Sequence, residues 1–197
     1  MTSSRRPPVH PSDRSGRMPA GVPPTCPVAG ASVDPVSSPV INYRGTFRIP
    51  VAPRLVWDAV ERTDEFERWW GWLGEFHFEG PGLQAGSVLT GVVSPPLPYH
   101  MRVRVELEDC VKPLSIEAAV HGDLEGHASL RLAPEEAPAL SETSSTIASV
   151  SWTIEMMQRP MRVAARVAYP LLCWGHDRVV DATVSSFRRQ IEHRYSR

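Results

Sequence analysis

The chain is 197 residues long, 42% hydrophobic and 22% charged, which is enough apolar material for one globular domain with a tail. Its formal net charge of −1 leaves no basic face for nucleic acid, and no stretch approaches the ~18 uncharged apolar residues of a membrane-spanning helix. Three cysteines, Cys26, Cys110 and Cys173, are too widely spaced for a CxxC motif and odd in number, so a reducing cytoplasm fits better than a disulfide framework.

Residues 1–40 differ from the rest. Pro7, Pro8, Pro11, Pro19, Pro23, Pro24, Pro27, Pro35 and Pro39 are interleaved there with Ser, Gly and short polar runs. Such a segment cannot bury enough apolar surface to offset its ordering entropy, so a disordered tail is expected. Arg5 and Arg6 precede no continuous apolar run, which argues against a secretory signal.

The ordered domain is expected over 41–197. From Asn42 to Pro50, Tyr43, Gly45, Phe47 and Ile49 alternate with polar residues, the period of a half-buried strand. Pro53 opens a helix with Leu55, Val56, Ala59 and Val60 on its apolar stripe. Asp64 is expected to cap a second short helix carrying Phe66, Trp69 and Trp70, with Gly71 and Gly74 ending it.

The period is two from Glu75 onward. Phe76 and Phe78 alternate with His77 and Glu79, and a strand over Ser87 to Ser94 is closed by Pro95, Pro96 and Pro98. From Tyr99 to Asp109, Tyr99, Met101, Val103, Val105 and Leu107 face one way. His100, Arg102, Arg104, Glu106 and Glu108 face the other, as a charge lattice. Leu114, Ile116, Ala118 and Val120 form the next inward series, then Ala128, Leu130 and Leu132 after the Gly122-Asp123 turn. A polar loop follows over Pro134 to Ser144. The last strand, Ile147 to Met157, turns Ala148, Val150, Trp152, Ile154 and Met156 inward.

After Arg159-Pro160 the pattern becomes helical. Val180, Val184, Phe187 and Ile191 form a narrow stripe that extends back to His176 and Cys173. Pro170 is expected to kink this helix or to split off a short one before it, so the long helix runs from roughly Met161 or Leu171 to His193. The order predicts an α+β fold: a curved antiparallel sheet of six to seven strands around a long C-terminal helix, with two short helices after the first strand. One helix, about 10 Å across, is too narrow to cover such a sheet, so a cavity between them is expected.

This order resembles the START/Bet v 1-like (SRPBCC) superfamily, the helix-grip fold, and in particular its bacterial polyketide cyclase/dehydrase-like members. The matching segments are Phe47-Arg48-Ile49 before Ala52-Pro53-Arg54-Leu55-Val56-Trp57-Asp58-Ala59-Val60, then Phe66-Glu67-Arg68-Trp69-Trp70. Pro98-Tyr99, Gly122-Asp123-Leu124-Glu125-Gly126 and Trp174-Gly175-His176-Asp177 also match. The resemblance covers everything after the tail. It implies the fold and a small-ligand cavity; the superfamily's activities range over lipid carriers, receptors, cyclases and Rieske oxygenase domains.

Rieske chemistry would need clustered Cys and His ligands, and there is no HExxH, P-loop or GxSxG motif, so neither metal nor cofactor is expected. Patterning aims Trp70, Phe78, Tyr99, Met101, Val103, Ile116, Ala118, Leu130, Trp152, Ile154, His176, Val180 and Val184 at a bound ligand. His176 is the candidate general acid or base, with Asp177 beside it; the plainer reading is a histidine meeting core polarity. Trp69, Trp70 and Trp72 are either an aromatic gate or simple packing. The expected activity is binding of an apolar or amphipathic small molecule, by a monomer or homodimer without integral membrane association. The alternatives are an aromatase/cyclase using His176 and a non-catalytic regulatory or interaction module.

Overall fold

The computed structural model of the chain describes residues 40–135 and 145–195. The Pro-rich segment before Val40 and most of the expected polar loop lie outside the described residues. The first strand, β1 (Val40–Ile49), turns its sequence alternation into alternation of burial: Ile41, Tyr43, Gly45 and Ile49 are buried, while Asn42, Arg44, Thr46 and Arg48 are exposed.

Helix α1 (Pro53–Val60) has Pro53 in its first turn, where a missing N–H leaves no helical bond unmade. It buries Val56, Trp57 and Ala59. The Trp57 indole donates to Glu61 Oε1 at 2.8 Å, and Lys112 Nζ donates to the same oxygen at 2.7 Å. This ties α1 to the turn after β4.

A 3-10 turn, Thr63–Glu65, leads into α2 (Phe66–Trp69). Asp64, the expected cap, lies inside that turn, and no side chain caps α2. Glu65 occupies the cap position, but its carboxylate is taken by Arg62, Arg68 and Arg194. Gly74 does not end the helix, because β2 (Leu73–Glu79) has already begun. A bulge between Gly74 and His77, with Glu75 at φ 50, breaks the alternation that would have revealed the start.

The remaining strands are β3 (Val88–Val93), β4 (Met101–Val111), β5 (Ser115–Gly122), β6 (Leu124–Pro134) and β7 (Thr146–Met156). All seven form one antiparallel sheet in the order β1-β7-β6-β5-β4-β3-β2. Tyr99, expected to open β4, stays outside it: its N–H donates to Leu97 O, and Leu97 N–H to Pro95 O, in tight turns. Leu114, expected to face inward, is 51% exposed at the β4–β5 turn. A bulge between Leu107 and Asp109 shifts the register of β4, so Cys110 rather than Asp109 pairs with Ile116. Gly122 turns the chain into β6 at φ 109, where a Cβ would stand 2.6 Å from the Arg102 carbonyl oxygen.

Helix α3 (Arg159–Tyr195) is one element of 37 residues that continues through Pro170, with no separate short helix before it. It lies in the grip of the sheet between two apolar clusters. One joins Ile191 and Phe187 to α1 and to Leu107, Ile116, Ala118, Leu132 and Ala148. The other joins Leu172 to Ile41, Met101, Val120, Leu124 and Met156. Ser186 Oγ donates to the Trp69 carbonyl at 2.7 Å in a buried bond that fastens α2 to α3.

Candidate ligand-binding site

Seven strands at about 4.8 Å spacing span roughly 29 Å, and α3 covers only a strip of that width. Beside α3, near α1 and α2, a cavity of about 230 Å³ remains. Phe47 and Ile49 of β1, Leu130 and Leu132 of β6, and Ala148 and Val150 of β7 form its sheet wall. Val56, Val60 and Trp70 close one side, and Thr183, Val184, Phe187 and Arg188 of α3 the other. Thr183 and Arg188 are the polar side chains of this lining. The Thr183 hydroxyl donates to the Val179 carbonyl at 2.7 Å, inside its own helix.

Trp70, Leu130 and Val184 are the expected ligand residues that line this cavity. Ile116 and Ala118 belong to the packed cluster around Ile191, while Met101, Val103, Tyr99 and Ile154 pack in the cluster around Leu172. Burial pushes the Tyr99 phenol up from its ordinary pKa. Val180 is buried on α3, outside the lining. Phe78 lines a separate depression with Thr63, Asp64 and Phe76.

His176 and Trp152 form a second centre. The His176 side chain is 12% exposed, two helical turns before Val184 and outside the cavity lining. The Trp152 indole N–H donates to His176 Nε2 at 3.1 Å. An indole nitrogen only donates, so Nε2 holds its lone pair and Nδ1 carries the ring proton. Nδ1 donates to Asp177 Oδ1 at 3.1 Å. The Tyr43 ring stacks on Trp152 at 4.3 Å and tilts against His176 at 5.1 Å. Gly175 lets the segment before β4 come close, since a Cβ there would stand 2.5 Å from Leu97 Cδ1. The imidazole is therefore a neutral, doubly bonded link between α3 and β7.

The tryptophans are packed ring on ring. Phe66 meets Trp70 at 4.5 Å, Trp70 stacks on Trp72 at 5.8 Å, and Trp69 meets Phe187 edge-on at 6.0 Å. The indole nitrogens of Trp69, Trp70 and Trp72 are buried and make no hydrogen bond to a described residue, and the same holds for Arg188 Nε. Each buried donor left unpaired costs about 1–3 kcal/mol. Among the described residues, no three His, Cys, Asp or Glu side chains gather as a metal site requires.

The chain matches no protein-family model and no curated protein. Solved structures do match. TTHA0849 of Thermus thermophilus aligns with a TM-score of 0.60 at 14% identity, over 78% of this chain and 99% of that one. The Zhui aromatase/cyclase of a Streptomyces species aligns at 0.59 and 12%, over 79% and 95%. A START superfamily protein of Mycobacterium smegmatis aligns at 0.58 and 11%, over 77% and 97%. The chain has the START/Bet v 1-like fold.

In this START/Bet v 1-like fold, sequence reasoning missed ten of the residues that line the cavity, Thr183 and Arg188 among them, and the part of Tyr43 in the His176 centre. Arg188 stands four residues after Val184, hence on the same helical face, but within the polar run Arg188-Arg189-Gln190 it reads as solvated. Tyr43 has inward parity and pairs with Trp152 across β1 and β7. Its part in the His176 centre depended on that register. No helix among the described residues is long and apolar enough to cross a membrane.

Proposed function

We propose that this domain binds a small apolar or amphipathic molecule in the cavity between its sheet and α3. The observation that carries the reading is the 230 Å³ space itself, walled by eleven apolar side chains with only Thr183 and Arg188 polar. Apolar ligand surface buried there drives binding. The volume is below the roughly 300–1,000 Å³ usual for ligand pockets, which favours a short chain or single ring. The cyclase alternative draws less support: both ring nitrogens of His176 are engaged and the ring stands apart from the lining.

Calorimetric titration with octan-1-ol and octanoate tests the reading, alongside native mass spectrometry of the purified protein for co-purifying ligands. Saturable binding of at least one probe is expected, and loss of binding in Val184→Phe and in Val150→Phe, which fill the cavity from opposite walls. Thermal melts report whether each variant folds. Absence of binding by both probes with nothing co-purifying overturns the reading. So does unchanged binding in either filled variant that remains folded.

A further inference from the structure

We infer that the N-terminal half of α3 is a membrane-docking element, lying along an anionic lipid surface without crossing it. This goes beyond the cavity reading and stands without it.

The helix is apolar on two sides here, and the sheet accounts for one. Leu172 and Val180 are buried, with His176 between them bonded to Trp152. Leu171 and Trp174, one turn apart on the other side, are 49% and 48% exposed. In the sequence, Pro160, Val163 and Val167 precede them at spacings of three, four, four and three, which puts the five positions on one helical face. Val40 and Met157 are also exposed, and both flank this end of the sheet: Val40 pairs with Glu155, and Met157 follows the last residue of β7.

This end of the helix also stands clear of the sheet. His176 is level with Trp152, to which it is bonded. From His176 back to Arg159 the helix rises about 26 Å, whereas β7 runs only about 13 Å from Trp152 to its end at Met156. The first turns of α3 therefore reach roughly 10 Å past the end of the strand.

Charge decides what covers the exposed face. Between Glu155 and Asp177 the chain carries Arg159, Arg162 and Arg166 and no acidic residue. Asp177 itself is engaged by His176. A second copy seated across a two-fold axis would set these arginines against their equivalents. Residues 1–39, which join the domain at Val40, hold Arg5, Arg6, Arg14 and Arg17 against Asp13 and Asp34, so they carry the same sign. An anionic bilayer suits both properties of the face. Its headgroup region takes up Leu171 and Trp174, and its negative surface attracts the arginines.

The test is co-sedimentation of the full chain with phosphatidylcholine vesicles, plain or with about a third phosphatidylglycerol, at low salt and at about 0.5 M salt. Binding is expected only with phosphatidylglycerol, and weaker by tenfold or more at the higher salt. Leu171→Glu combined with Trp174→Glu is expected to abolish binding. Arg159→Gln, Arg162→Gln and Arg166→Gln together, which leave the apolar face in place, are expected to weaken it on the order of a hundredfold. Thermal melts report whether each variant folds. No binding to the mixed vesicles, or equal binding to both kinds, overturns the inference. So does full binding by either variant that remains folded. A parent chain that ignores vesicles but sediments as a dimer, and as a monomer in the glutamate variant, assigns the face to a second copy and overturns it as well.

Discussion

His176 shows how a single hydrogen bond assigns a side chain its state. Because Trp152 can only donate, the imidazole accepts at Nε2 and is neutral, with its proton on the Asp177 side. Protonating Nε2 would set two N–H groups against each other. Replacing His176 by Phe, which preserves ring packing but offers no acceptor, leaves the Trp152 N–H unpaired. We expect a loss of about 1–3 kcal/mol in denaturant unfolding, and a much smaller further loss when Trp152→Phe is added to that variant. Sequence periodicity placed His176 on the inward stripe of α3, as found. It could not show that the stripe meets filled core at Leu172 and His176 and a cavity only at Val184 and Phe187. That distinction depends on which strand side chains stand opposite, and so on register.

At the scale of elements, α2 and the end of α3 are joined through one carboxylate. Burial acts to raise the pKa of Glu65; the hydrogen bond and charge of Arg194, with Arg68 and Arg62, outweigh it and hold the carboxyl below its usual value of 4.5. A group whose folded pKa is depressed stabilises the fold above its unfolded pKa, and that contribution is lost as pH falls through the folded value. Unfolding midpoints should therefore fall as the pH drops below about 4.5. Glu65→Gln should flatten this limb, at a cost near neutrality of about 1 kcal/mol or less. The elements themselves were largely legible, since period two and period 3.6 follow directly from strand and helix geometry. What escaped were the places where backbone chemistry interrupts the period: the bulges in β2 and β4 and the 3-10 turn that displaces Asp64 from its capping role.

For the whole molecule, stability and binding are divided along α3. Ile191 is 1% exposed and sits in the larger apolar cluster, so Ile191→Ala should cost about 2–5 kcal/mol by urea unfolding. The neighbouring turn, with Val184 and Arg188, borders the cavity instead. The helix-gripping sheet could be anticipated from the order of elements alone, because a one-faced sheet needs a cover and only one long helix was on offer. The size of the cavity could not, since it is what remains after particular side chains have filled the rest.

The sheet order also sets a timetable. β1 lies beside β7, so Tyr43 must wait for Trp152, a partner on the order of a hundred residues further along the chain. At ribosomal speeds of about 5–20 residues per second, β1 leaves the exit tunnel roughly 5–20 s before β7. Throughout that interval Ile41, Tyr43, Phe47 and Ile49 form an unpaired apolar edge. The strand that begins the domain is thus the last to gain its partner in the sheet, and while it waits its apolar edge is open to off-pathway pairing.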